Sequence, residues 1–422
     1  MAGQPWLCPL RADRVPAQGR DLAGDAGRSQ YTQGPDVSAG RDTLVLNTGS
    51  SSVKFAVFDA QLHPRLSGVA EGIGSGGALR VGASSESLDL PDHEQALAAV
   101  LSRLADQGSG PDQLVAVAHR VVHGGTELTA PTALTATVRA KIEACVPLAP
   151  LHNPHALSAI DALAQLAPDL PQYASFDTAF HADAPEVARR YALPPEAEAL
   201  GLRRYGFHGL SYAALCRRLP DISQRPLPDR LLAFHLGNGA SICAIREGRS
   251  VATTMGYSPL EGLTMGTRVG SLDANAALRL VEELGLSRSK TLLNSHSGLA
   301  GLSGGISDMR RLEQTDTPET QFAIDHFCYW AIRHGHSLIG ALGGLDAIAF
   351  TGGIGEHSRL VRARILNGFD WLGATPDAAR NAENAPRITR DTAAVPAWIV
   401  AAEEERQIAM DTHALIATAA GG

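Results

Sequence analysis

Apolar positions along this chain fall into short runs separated by turns rich in glycine, asparagine and serine, and two pairs of runs share one plan. Leu44 to Asp59 reads LVLNTGSSSVKFAVFD, which predicts two strands around a turn of small residues, Asn47-Thr48-Gly49-Ser50-Ser51-Ser52. Leu231 to Gly248 reads LLAFHLGNGASICAIREG and predicts a second hairpin around Gly237-Asn238-Gly239. From Asp42 onward strands alternate with helices. Asp92 is placed to cap a helix carrying Ala96, Leu97, Val100, Leu101 and Leu104 on one face. A short buried strand is expected at Val115–Ala118, a helix at 155–166, and a strand at Tyr173–Phe176 that stops at Asp177. Pro318 to Leu342 has the composition of one long helix or two abutting ones. A strand at Ala347–Phe350 runs into Thr351-Gly352-Gly353-Ile354-Gly355-Glu356. Helical periodicity from about Glu404 to Ala419 predicts a last helix that packs back on the first half. The pattern is α/β with mixed sheets in two similar lobes, and the Gly/Pro/Arg-rich stretch 194–206 reads as a connection near a domain boundary.

The length of 422 residues is enough for two domains of ordinary size. Lys and Arg total 36 against 44 Asp and Glu, a formal net charge of −8, which argues against a nucleic-acid partner. An anionic substrate would therefore need a locally basic pocket. The five cysteines are scattered without a C-x-x-C, as expected for free thiols of a reducing cytoplasm. No apolar run approaches the roughly 18 residues of a membrane helix, so no membrane partner is expected. Residues 1–41 lack periodicity and an apolar signal segment, and their arginines are offset by Asp13, Asp21, Asp25 and Asp36. They are expected to be a disordered extension without a role.

The candidate chemistry sits in the turns. Small residues in the 47–52 turn let backbone N–H groups approach an anion, and Lys54 adds a point charge. The segment lacks the G-x-x-x-x-G-K-[ST] pattern, and a strand follows it. The Gly352–Gly355 turn has the bland reading of a tight strand-to-helix connection. With two other glycine turns each following an apolar strand, nucleotide binding is the better reading. Arg120, in His119-Arg120-Val121-Val122-His123-Gly124-Gly125, could hold a carboxylate bidentately or form a structural ion pair. Arg268 lies in a glycine-flanked loop whose mobility would let it reach a ligand. Asp177 is either a carboxylate serving Mg²⁺ or a helix N-cap. The acidic run 403–405 is either a further metal carboxylate or the solvated first turn of the last helix. The pairs His119/His123 and His152/His155 are interrupted by Gly or Pro and do not present a zinc face. His208, between glycines, is poor core material and a plausible ligand contact.

Taken in order, NTGSSSVKF, HRVVHGG, PLAPLHNP, FDTAFH, RYGFHG, HLGNG, PLEGLTMGTR and FTGGIGE resemble the acetokinase family, within the superfold of sugar kinases, actin and heat-shock ATPases. The resemblance runs from about Asp42 to the end. It implies two ribonuclease-H-like lobes with the active site in the cleft: 42–179 as the N-terminal lobe, 180–405 as the nucleotide-binding lobe, and helix 406–422 returning to the first. The implied reaction is reversible, Mg²⁺-dependent transfer of the ATP γ-phosphoryl group to acetate, giving acetyl phosphate and ADP, with Mn²⁺ as an alternative ion. A homodimer is also implied.

By the family pattern Asn47 and Glu404 would organise the metal, and Lys54 would lie near the phosphates. Arg120 would bind the substrate carboxylate, and Val122, Leu151, Phe207 and Pro259 would line the methyl pocket. His208 and Arg268 would stabilise the transferring group, with Asp177 the catalytic carboxylate. The nucleotide would meet His235, Leu236, Gly237, Asn238 and Gly239, then Asp308, Met309 and Arg310, then Gly353, Ile354, Gly355, Glu356 and His357. A small carboxylic acid titrates near ~4 and has no proton to lose at neutral pH, which makes Asp177 a positioning group more than a general base. The chain departs from the family at Val269-Gly270-Ser271-Leu272-Asp273-Ala274, where Ser-Gly-Asp-Leu-Asp-Pro is common. It also departs at His357, often Asn, and at Ala402–Glu405, where Asn-Glu-Glu is usual. The same chemistry on propionate is the nearest alternative, and a non-catalytic ATP-gated clamp is the alternative of another class.

Overall fold

Both apolar pairs form hairpins, and each seeds a sheet. β1 (Asp42–Thr48) and β2 (Ser52–Phe58) run antiparallel, with Asn47 opposite Lys54. Then follow β3 (Pro64–Glu71), β4 (Gly77–Val81), β5 (Ser84–Leu88), β6 (Leu114–Val121), β7 (Thr132–Ala133) and β8 (Gln172–Phe176). The second hairpin is β9 (Arg230–Leu236) and β10 (Ala240–Arg246), followed by β11 (Arg249–Thr253), β12 (Ala347–Thr351) and β13 (Ala397–Ile399). The computed structural model describes residues 42–420, so the extension expected at 1–41 lies outside the described residues.

The strand orders are β5-β4-β3-β2-β1-β6-β8-β7 and β11-β10-β9-β12-β13. Within the first, β3-β2-β1 is an antiparallel meander, and β6 and β8 run parallel to β1. The second repeats this: β11-β10-β9 is the meander, and β12 and β13 run parallel to β9. The duplicated architecture expected from the paired hairpins is therefore present at the level of strand order. Parallel neighbours require crossover helices, which cover both faces of each sheet.

On the first sheet, the helices His93–Asp106 and Asn153–Leu166 bury Leu97, Val100, Leu104 and Leu163 against Leu44, Leu46 and Val117. Asp92 caps the former by accepting from the Gln95 amide, as its position predicted. The latter begins at Asn153, two residues before the expected start, because Pro154 fits the first helical turn. The C-terminal helix, Glu404–Ala420, lies on the opposite face, packing Ile408 and Ala409 against Val45, Ala56 and Ala118. On the second sheet, Pro318–Leu342 is one unbroken helix with a capping box at Thr317. Its Ala323, Phe327 and Ala331 pack with Phe234 and Phe350. The helix Gly209–Ser223 covers the other face through Tyr212, Leu215 and Leu219.

Strand β6 extends beyond the expected Val115–Ala118 because β8 pairs with it as far as Val121↔Phe176. A charged side chain, Arg120, is thereby carried onto the end of a central strand. Four histidines are also taken inside: His119, bonded to Gln172, together with His123, His181 and His235. Burial pushes each of them down to about 4.

These four set a direction for acid stability. Above pH ~6.5 they are neutral in both states and contribute no pH dependence. As pH falls from about 6.5 toward 4, the unfolded chain binds protons that the folded chain excludes. Each group then lowers stability by up to about 1.4 kcal/mol per pH unit. Urea-unfolding midpoints taken at steps from about pH 7.5 to 5 should fall below pH ~6.5, whereas a flat series would contradict the buried neutral assignment.

Candidate active site

In open α/β sheets, ligands bind outside the carboxyl ends of parallel strands. Several of the motifs singled out above sit there. Asn47 is at the end of β1, Arg120 near the end of β6, and Asp177 directly after β8. In the second sheet, Gly237–Gly239 follows β9 and Gly352–Gly353 follows β12.

Arg120 is the centre of the first group. Its Nε and Nη2 donate to Asp177 Oδ1 and Oδ2 at 3.1 and 2.6 Å, and Nη1 donates to Asn47 Oδ1 at 3.1 Å. Glu404, in the first turn of the C-terminal helix, stands 3.9 Å from Nε. These bonds use three of the five guanidinium N–H donors and leave one on each terminal nitrogen. Burial disfavours the Arg120 charge, but the Asp177 and Glu404 carboxylates more than offset it and hold the group charged. Burial pushes the Asp177 carboxyl up from the ordinary range, and Arg120 opposes that shift. Asp177 does not cap a helix: the short turn that follows takes Thr178 at its N-cap, without a side-chain bond.

Arg120 and Arg268 line the same cavity, of about 260 Å³. Its wall also includes Asn47, Thr48, Gly49, Val122, His152, Ala156, Asp177, Phe207, His208, Gly239 and Pro259. Arg268 is not the free loop residue expected. Its Nη1 donates to the Pro259 carbonyl at 3.2 Å, and burial, then the Arg120 charge, push its guanidinium down. Gly298 fixes this loop from behind: its φ is +61°, and a Cβ there would stand 2.1 Å from the Met265 carbonyl. His208 is 9% exposed and adopts φ +59° just before the helix Gly209–Ser223. A Cβ on Gly239 would stand 3.2 Å from His208 Nε2 and 3.5 Å from Arg268 Nη1. Two side-chain nitrogens thus converge on the space beside Gly239, where a Cβ would sit in tight contact with His208.

The turn containing Gly239 is a shared wall. Gly237 and Asn238 line a second cavity, of about 570 Å³, with Ser307, Asp308, Met309, Arg310, Glu313, Gly353, Ile354, His357 and Ser358. Asp308 accepts from the Arg310 and Arg311 amides and pairs with the Arg310 guanidinium. Arg362, fully buried, donates to the carbonyls of Gly355 and Glu356 and so holds the glycine segment from behind.

Not every residue named in advance reaches these cavities. Lys54 lines a separate groove with Glu403, Glu405 and Arg406, away from the nucleotide-sized cavity. Leu151 is 58% exposed and outside the lining of the smaller cavity, where His152 and Ala156 stand instead. His235 and Leu236 are buried under the turn, Gly355 is buried in its helix, and Glu356 accepts from the Ala402 amide. Ser307, Glu313, Ser358 and Ala156 carried no distinguishing signal of residue type, and only the fold brings them in; His152, weighed above only as half of a zinc pair, lines the smaller cavity.

Among the described residues no three His, Cys, Asp or Glu side chains form a ready metal cage. The oxygens of Asn47, Asp177 and Glu404 do surround one group, the Arg120 guanidinium. Two carboxylates and an amide oxygen are hard donors of the kind Mg²⁺ takes when substrate phosphates and water complete its shell. The donor set fits that ion.

The model of the acetokinase family matches residues 42–410. The acetate kinase of Rhodopseudomonas palustris strain CGA009 is 45% identical over 384 residues, covering 87% of this chain and 96% of that protein. The acetate kinase of Deinococcus radiodurans is 44% identical over 391 residues, covering 89% and 98%. Among solved structures, Porphyromonas gingivalis acetate kinase aligns with TM-score 0.82 at 34% identity, over 89% of this chain and all of that one. A propionate kinase from Francisella tularensis aligns with TM-score 0.84 at 33% identity, over 88% and 98%. With family motifs placed at the strand ends of both sheets and a match spanning nearly the whole described chain, this protein belongs to the acetokinase family.

Proposed function

We propose that this chain is an acetate kinase, transferring the γ-phosphoryl group of ATP reversibly to acetate. One observation carries the reading: two arginines line a cavity with an apolar wall, and that cavity shares the 237–239 turn with a nucleotide-sized groove. The free N–H groups of Arg120 suit a carboxylate, while Val122, Phe207 and Pro259 offer a methyl group an apolar surface. ATP is assigned to the larger groove, with its terminal phosphate reaching Gly239. There Arg268 and His208 supply positive charge and a hydrogen bond to the transferring group. The acceptor is ionised at neutral pH, so no base is needed, and Asp177 acts by orienting Arg120. Asn47, Asp177 and Glu404 would hold Mg²⁺, which when bound supplies charge neutralisation to the nucleotide phosphates. Direct in-line transfer is the simplest course for two reactants brought end to end, and such transfer is accelerated chiefly by positioning and charge neutralisation. In this reading residues 42–179 with the returning helix form one lobe and 180–405 the nucleotide-binding lobe.

Propionate is the second reading. A cavity of about 260 Å³ whose wall includes the small Ala156 has room beyond a methyl group. One methylene in an apolar pocket discriminates by only ~1–3 kcal/mol. A non-catalytic clamp is the poorer account, since a clamp has no use for two arginines in a second cavity. A homodimer is supported by the helix Ala274–Leu284, which buries none of its side chains while Leu278 is 60% exposed. A cytoplasmic location fits the free cysteines Cys145, Cys216, Cys243 and Cys328. No described helix is long and apolar enough to cross a membrane.

Hydroxylamine trapping of acyl phosphate, with ATP, Mg²⁺ and acetate, propionate or butyrate in turn, tests the assignment. The ranking of kcat/KM should place acetate or propionate first, and no product with any acid would favour the clamp. Arg120→Ala should raise the KM for acetate strongly while leaving nucleotide affinity nearly unchanged; unaltered acetate kinetics would remove Arg120 from the carboxylate site. Arg268→Ala should lower kcat by roughly 10³–10⁵-fold, the range of arginine clamps on transferring phosphoryl groups. A near-normal kcat in that variant would take Arg268 out of the reaction.

A further inference from the structure

His208 faces the cavity with one ring nitrogen and the interior with the other. A neutral imidazole carries a single N–H, so which nitrogen holds it decides whether the cavity meets a donor or a lone pair. An anionic phosphoryl group needs the donor. We propose that Ser241 and Tyr212 form a hydroxyl relay that places the His208 proton on Nε2, making the histidine a neutral hydrogen-bond donor to the transferring group. This rests on the phosphotransferase reading above.

The geometry gives the relay its direction. Ser241 Oγ lies 2.9 Å from His208 Nδ1 and 2.6 Å from the Tyr212 hydroxyl, and all three side chains are buried. Tyr212 follows His208 by one helical turn, its amide bonded to the His208 carbonyl at 3.1 Å. Ser241 projects from β10 opposite His235. Three proton orders are conceivable, because a serine oxygen can accept two hydrogen bonds. In one, Tyr212 donates to Ser241, Ser241 donates to Nδ1, and the His208 proton is left on Nε2 beside Gly239. In the second, Nδ1–H donates to Ser241 and Ser241 to Tyr212. In the third, Tyr212 and Nδ1–H both donate to Ser241, whose own proton then has no partner among the described residues. Tyr212 is 0% exposed, and Ser241 is its hydroxyl's side-chain partner among the described residues. Among the described residues no backbone oxygen is hydrogen-bonded to that hydroxyl. The second order would strand the phenol proton in the interior without an acceptor, and the third the Ser241 proton, which is the costly state for a buried polar group. The first order satisfies every group.

The surroundings keep the imidazole neutral so that the tautomer matters. Burial first, then His235, Arg120, Arg268 and His181, push His208 well below its usual range. The His235 ring stacks on His208 at 4.1 Å between centroids and is itself tied at Nδ1 to Ser211. The ring cannot turn over without breaking the Ser241 bond. Ser241 and Tyr212 are therefore positioning residues: they touch neither reactant and act through His208.

Nitrogen-15 NMR of the full chain labelled at histidine reads the tautomer directly, with His208→Gln identifying the resonance. The parent chain should show His208 protonated at Nε2. Ser241→Ala should yield a mixture of tautomers and a kcat lower by roughly 10–100-fold, as for other groups that orient an active-site histidine. KM for acetate and for ATP should change by less than about 3-fold, a small shift on the scale on which tenfold is 1.4 kcal/mol. Tyr212→Phe, which keeps the ring packing and removes only the hydroxyl, should move both readouts the same way by less. A purely structural role would lower the melting temperature without altering the tautomer. A parent spectrum with the proton on Nδ1 would overturn the relay, as would Ser241→Ala with an unchanged tautomer and kcat. A parent chain that makes no acyl phosphate would count against the reaction and leave the tautomer to be read on its own.

Discussion

A guanidinium taken out of water has to be surrounded by oxygen, and Arg120 is the place where this chain meets that demand. Its partners come from three other elements: Asn47 from β1, Asp177 from the end of β8, and Glu404 from the start of the C-terminal helix. Removing one carboxylate would leave a partly buried cation short of a partner, the costly way to break such a pair. The C-terminal helix is thus tied to the strand that carries the cavity-lining arginine. Apolar packing through Ile408 and Ala409 holds the body of that helix, while Glu404 fixes where it begins. The oxygen cluster that neutralises Arg120 is also the set of hard donors a divalent cation would use, so fold and chemistry draw on the same atoms.

The second cation is treated in the opposite way. Arg268 has a carbonyl and a sulfur as its nearest acceptors, Pro259 O and Met265 Sδ, and it shares its cavity with another positive charge. Such a group is held in place by backbone rather than by a counter-ion, which leaves its charge for a ligand. The glycines have a matching task. At Gly239 a Cβ would press on His208 Nε2 at 3.2 Å and meet Arg268 Nη1 at an ordinary 3.5 Å, and at Gly266 it would stand 1.8 Å from Asn238 Oδ1. The turn thereby stands as a thin wall between two cavities.

The amino-acid pattern carried the architecture well, because paired apolar strands around glycine turns leave few ways to bury both faces. The hairpins at Leu44 and Leu231 and the return of the last helix followed from periodicity, while composition left Pro318–Leu342 open between one helix and two and the structure shows one. Motif order carried the arginines, Asp177 and His208 to the cavity wall. What could not be read was depth and direction. Lys54 looked like a phosphate ligand by adjacency to the first turn, yet strand pairing turns it toward a groove shared with Glu403, Glu405 and Arg406. Leu151 looked like pocket lining, yet it is exposed, and the helix starting at Asn153 sends Ala156 inward in its place. Ser241 and Tyr212 were invisible, since a serine in a strand and a tyrosine in a helix acquire meaning only when a sheet and a helix bring them to one histidine.

The departures from the family pattern after Arg268 can be weighed on the same terms. Valine at 269 and serine at 271 remove a hydroxyl and a carboxylate, and alanine at 274 removes a proline ring, but the loop is held by its backbone. The Val269 amide donates to Leu293 O at 3.0 Å, and the Ser271 amide donates to Gly262 O at 2.9 Å. Gly270, at φ +80°, sits where a Cβ would lie 2.5 Å from the Leu263 carbonyl, so the close approach that fixes the bend is a glycine property the changes do not touch. Asp273 still caps the next helix by accepting from Asn275 and Ala276. The side chains that differ therefore lie on a segment whose path is already determined on both sides, and Arg268 is delivered to the cavity without them.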